Sequence, residues 1–173
     1  MKFYKTEKER INMKIKNIVI IISVLLNLGL IAYIYSRSDH LEDVYSGMSF
    51  NLQHELIQLE DSIGYQIEKD WSEADTVIEK IEDINEDIDT LMDTGKALAL
   101  ISEEQEEDLW NLSRYFSQFP TYSGYPNTDL TASDMNELVE LRNNLRSVGW
   151  GMQVGYSGDW DSFSAKINEL IRL

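Results

Sequence analysis

From Ile18 to Tyr35 the chain reads "IVIIISVLLNLGLIAYIY", eighteen residues without a charge. No other feature restricts the fold as strongly. An α-helix rises ~1.5 Å per residue, so the run covers about 27 Å, close to the roughly 30 Å hydrocarbon core of a bilayer. It has no polar face with which to lie on a soluble core. The run is therefore read as a transmembrane anchor, with the lipid bilayer as its partner. Tyr33 and Tyr35 sit at one end, where interfacial aromatics collect. Residues 1–17 hold six basic side chains (Lys2, Lys5, Lys8, Arg10, Lys14, Lys16) against Glu7 and Glu9, giving +4. That asymmetry places the N-terminal tail in the cytoplasm and everything beyond Tyr35 outside a cell membrane crossed once.

Two alternatives stay open. A secretory signal has a shorter apolar region, about 7–15 residues. The small residues of "SRS" (Ser36–Ser38) nonetheless offer a cleavage site after Ser38, which would give a secreted form. Met13 would also serve as a start, with "MKIKN" as the basic region. Each alternative still puts the bulk of the chain outside the cytoplasm.

Residues 36–173 carry nine basic and 29 acidic side chains, a charge of −20 within a chain of net charge −16. Such a domain repels phosphate, so no nucleic-acid partner is expected. At 173 residues, one main domain is expected. The absence of cysteine excludes disulfides, thiol nucleophiles and thiolate metal sites.

The outer residues show a helical period throughout. Leu41, Tyr45, Met48, Leu52, Leu56, Leu59, Ile63 and Ile67 recur at steps of three or four, which predicts one amphipathic helix. Ser72 is the expected cap of the next. Its stripe of Val77, Ile81, Ile84, Ile88 and Leu91 follows a strict heptad, the pattern of a coiled-coil seam. Gly95 is the expected stop. "SEEQ" at Ser102–Gln105 is a capping box for a third helix bearing Leu109, Leu112, Phe116 and Phe119. Thr131 or Ser133 starts a fourth, with Leu138, Leu141, Leu145 and Val148 on one face. Asp159 or Asp161 caps a fifth, with Trp160, Phe163, Ile167 and Leu170 facing inward. No alternating strand pattern appears. The predicted fold is all-α: a basic tail (1–17), a single transmembrane helix (18–35) and an acidic antiparallel bundle of four or five helices (36–173).

Chemistry-bearing motifs are sparse. Between Glu73 and Asp93 stand nine acids and only Lys80, with like-charge pairs at i,i+4 such as Glu79/Asp83 and Asp83/Asp87. A solvated face explains this tract, and weak divalent-cation binding is the functional alternative. A dedicated calcium loop is excluded, because Asp93–Glu104 has Gly95 and Ala97 where ligands belong. His40 and His54 lie fourteen residues apart, about 21 Å along a helix, too far to share a metal. There is no G-x-S-x-G, no H-E-x-x-H and no phosphate-cradling glycine motif. No catalytic residue, cofactor or metal is assigned, and an enzyme is not expected.

"GWGMQVGYSGDW" (Gly149–Trp160) concentrates glycines and aromatics. By helical phase, Trp160 joins the core. Trp150 falls about 200° from the core line, two residues past Val148. Trp150 and Tyr156 are thus the aromatics least explained by the core: they either cover the open end of the bundle or are the candidate contacts for a ligand or partner. The leading expectation is a membrane-anchored protein-interaction module, pairing through Val77, Ile81, Ile84, Ile88 and Leu91 unless the bundle already buries them. The alternative is a ligand- or cell-wall-binding helical domain using Trp150 and Tyr156.

Overall fold

A computed structural model of the chain describes residues 2–121, 129–152 and 159–173. Among the described residues the regular structure is helical throughout: α1 (Lys2–Glu68), α2 (Asp75–Ala97), α3 (Glu103–Phe116), α4 (Ala132–Ser147) and α5 (Trp160–Leu170). The chain divides into two compact units, Met1–Leu41 and Glu42–Leu173. In the first, α1 contains the uncharged run. This helix is long and apolar enough to cross a membrane, and none of its apolar window is buried.

The second unit is an antiparallel helical bundle. Contacts between the rest of α1 and α2 run in opposite order: Gln66 meets Thr76, Glu55 meets Lys80, and Tyr45 packs over Gly95. The α1 and α4 contacts also reverse, Glu60 to Arg142 and Gln53 to Trp150. The core holds the predicted stripes of all five helices, including Leu52, Leu56, Leu59 and Ile63 from α1. Ile67 is an exception and lies exposed, while the side chain of Gln66 turns inward instead. The stripe steps by four, three, four, four, three, four and four, wider on average than the ~3.6 residues of a helical turn, so its far end drifts off the core line.

Three helices begin on local caps. Ser102 and Gln105 form the expected capping box on α3. Thr131, rather than Ser133, starts α4 and forms a box with Asp134. The Asp159 carboxylate accepts from the Ser162 backbone N–H at the start of α5. The start of α2 differs from expectation. Ala74 holds the cap position and offers no side-chain bond. The preceding backbone N–H, that of Glu73, donates to the Gln66 side chain at 3.1 Å. Gln66 also donates to the Thr76 hydroxyl, so a side chain of α1 ties down the approach to α2 where no side-chain cap is present.

Three helices also share one way of stopping. In each, a residue with positive φ follows the C-cap, and the next N–H reaches back five residues. The positive-φ residues are Asp70 (53°), Ala99 (54°) and Gly149 (88°). The returning bonds run from Trp71 to Gln66 at 2.8 Å, Leu100 to Gly95 at 2.9 Å and Trp150 to Leu145 at 2.8 Å. These are Schellman motifs, in which the residue after the positive-φ position is commonly apolar and folds back on the helix. Gly95 is accordingly not the stop of α2, which runs on to Ala97. Its role is close approach: a Cβ there would lie 2.7 Å from Ile101 and 2.9 Å from the Tyr45 ring.

Candidate functional site

The end of α4 carries the one predicted contact residue that the structure describes. Trp150 is fully buried, which corrects the expectation from helical phase. The phase argument assumed that the helix continues. Instead Gly149 takes a left-handed conformation, and the Schellman turn swings Trp150 back over the last turn of α4. Its ring meets Phe163 of α5 edge-on at 6.1 Å, and its indole N–H donates to Gln53 of α1 at 3.5 Å. The Lys166 ammonium lies 5.8 Å from the ring centre and donates to the Gly149 carbonyl at 3.2 Å. Burial lowers the pKa of Lys166 from its ordinary value. Tyr156 lies outside the described residues.

A buried carboxylate holds the same region. Glu60 of α1 is buried, with Arg142 Nε 2.9 Å and Arg146 Nε 3.5 Å from its Oε1. The Arg142 contact is off the line of a hydrogen bond, so charge attraction dominates it. The other oxygen, Oε2, accepts from the Met152 backbone N–H at 3.3 Å. Gly64 makes room for the guanidinium, since a Cβ there would lie 2.8 Å from Arg142. A second buried acid, Asp108 of α3, accepts from Ser164 and from Asn168 of α5, the latter at 2.9 Å. Both clusters join helices of one bundle.

The α2 seam is also closed. Val77, Ile81, Ile84, Ile88 and Leu91 are all buried within the bundle, so they offer no surface for helix pairing with a partner. What α2 exposes is mostly acid, Asp75, Glu79, Asp83, Glu86, Asp89 and Asp93, with Lys96 near its end. Asp87, half-buried beside them, has its pKa raised by desolvation, then by Glu55, Asp83 and Glu86, against an opposing effect of Lys80. Among the described residues no three His, Asp or Glu side chains converge to hold a metal ion.

Among the described residues, clefts indent the bundle. One, about 420 Å³, lies between the ends of α3 and α5 and the middle of α4, lined by Tyr115, Phe119, Glu140 and Leu141 among others. The second, about 270 Å³, is lined by Tyr45, Ser49, Leu100 and Trp160. Tyr45 and Trp160 stack at 6.0 Å, and their buried hydroxyl and indole N–H have no hydrogen-bond partner among the described residues. Burial raises the Tyr45 pKa, so the phenol stays neutral.

The sequence did not mark Gln53, Glu60, Gln66 or Asp108 as important. A usable signal was present in α1. Gln53 and Glu60 are seven residues apart and flank the apolar stripe, so a helix covered on two sides would bury them. Comparison of the chain with protein-family models, with curated proteins and with solved structures gives no match.

Proposed function

We propose that this chain is a single-pass membrane-anchored protein whose acidic helical domain, residues 36–173, serves as a protein-interaction module outside the cytoplasm. One observation carries the reading: the apolar side chains from Ile18 to Tyr35 are exposed, whereas the stripes of the bundle are buried. A helix that is apolar all round and uncovered needs hydrocarbon around it. The bundle beyond it has a closed core and a charged surface. Its acidic α2 face favours a basic protein partner and repels polyanions. The burial of Trp150 removes the residue that most favoured a ligand-binding loop.

The test is alkaline extraction of membranes holding the full chain, followed by external protease on intact cells and capture of partners from detergent extracts. The anchored reading expects the chain to stay with the lipid, its residues beyond Tyr35 to be cut, and a basic partner to be recovered. Release into the alkaline wash would remove the anchor. A mature form beginning at Asp39 would instead make the protein secreted. A protease-protected C-terminus would invert the orientation.

A further inference from the structure

Within the uncharged run, Asn27 stands near the middle, nine residues after Ile18 and eight before Tyr35. Its side-chain N–H donates to the Ser23 carbonyl at 2.8 Å. A carboxamide has two N–H donors and an acceptor oxygen. The bond to Ser23 uses one donor and leaves the second, and Oδ1, to be satisfied from elsewhere. At that depth in a bilayer no water is present to complete them, and an unpaired amide in hydrocarbon is costly.

The residues sharing its face form a pattern. Ile20, Ser23, Asn27, Leu30 and Ile34 follow steps of three and four, and all are exposed. The β-branched Ile20 and Ile34 lie seven residues to either side of Asn27, with Leu30 at the intervening position. In two-stranded parallel coiled coils this arrangement favours a dimer, and a single asparagine on the β-branched line fixes register.

We propose that this face is a self-association interface. Two copies of the chain pair in parallel through Ile20, Ser23, Asn27, Leu30 and Ile34, and the two Asn27 carboxamides hydrogen-bond to each other across the two-fold axis. The proposal rests on the membrane-anchor reading. A second copy is the occupant that fits, for two reasons. The carboxamide is self-complementary, and a parallel pair brings both copies of Asn27 to the same depth without any further requirement. An isologous contact of this kind closes as a dimer. The outer domains, each of charge −20, oppose the pairing by repulsion, so added salt should tighten it.

The experiment uses the full chain in lipid vesicles, with donor- and acceptor-labelled copies mixed and energy transfer read against dilution in lipid. Alkaline extraction of the same vesicles reports anchoring separately. Asn27→Leu should weaken pairing by about 3- to 30-fold, the range for one interhelical polar contact in a membrane. Asn27→Gln, which keeps donors and acceptor, should retain most of it. Ser23→Ala should change little, because Asn27 uses the backbone carbonyl of Ser23. Undiminished pairing of an anchored Asn27→Leu chain overturns the proposal and leaves the anchor standing, as does a monomeric anchored wild type. Extraction of the wild type into the alkaline wash overturns both.

Discussion

Ile20 and Ile84 are the same side chain on the same kind of helix, yet Ile20 is 51% exposed and Ile84 is 0% exposed. The difference is what surrounds each in sequence. Around Ile84 the apolar residues return every three or four positions, and acids fill the gaps. That spacing gives one face to cover, and neighbouring helices cover it. Around Ile20 the run from Ile18 to Tyr35 carries no charge, and its apolar residues occupy all sides of the helix rather than one stripe. Burial is therefore a property of the pattern rather than of the residue. One region satisfies its apolar surface within the chain, and the other stays uncovered in a helix long and apolar enough to cross a membrane.

Substituting the two isoleucines separates the regions most sharply. Ile84→Asp places an unpaired charge in the core and should destabilise the bundle by more than about 4 kcal/mol, enough to abolish its cooperative melt. Ile20→Asp should leave that melt where it is and instead reduce retention in membranes. Equal damage to the melt from both would show that the two regions fold as one.

Trp150→Ala should cost about 3–5 kcal/mol in denaturant unfolding, the range for deleting a large buried aromatic. Trp110, 54% exposed on α3, provides the comparison and should cost within about 0.5 kcal/mol. If the two mutants unfold together, the burial of Trp150 is wrong and a contact role for it returns.

Smaller effects come from the helix ends. Alanine at a left-handed position is strained, and glycine is not, so Ala99→Gly should stabilise the bundle by about 0.5–1 kcal/mol. A lower melting temperature for that variant would count against the Schellman stop at α2.

The smallest effect tests the acidic surface. The pKa of Asp87 is raised in the folded chain, so its protonated form is favoured there. Its favourable contribution is present below the ordinary carboxylate pKa and is lost as pH rises through the raised value. Asp87→Asn should therefore raise the melting temperature slightly at neutral pH, and the advantage should shrink as pH falls through the carboxylate range. A pH-independent difference would mean that crowding by Glu55, Asp83 and Glu86 is not its source.

Local devices were legible in the sequence. The caps at Ser102, Thr131 and Asp159 each lie three residues before the N–H they satisfy, and the heptad of α2 needs only its own spacing. Devices that need a second segment were not. Gln66 reaches Glu73 and Thr76 at the start of another helix, and Glu60 meets partners more than eighty residues away. The left-handed stops at Asp70 and Ala99 carry no glycine to mark them. Gly149 was visible, but its consequence for Trp150 was not, because phase counting does not survive a reversal of the chain.

The bundle should be self-sufficient without the N-terminal apolar helix. The direct measurement is a far-UV circular dichroism melt of residues 36–173 alone, in aqueous buffer without detergent. A helical spectrum that is lost in one cooperative transition is the predicted result. A coil- or strand-dominated spectrum, or helicity that appears only with lipid, would contradict it.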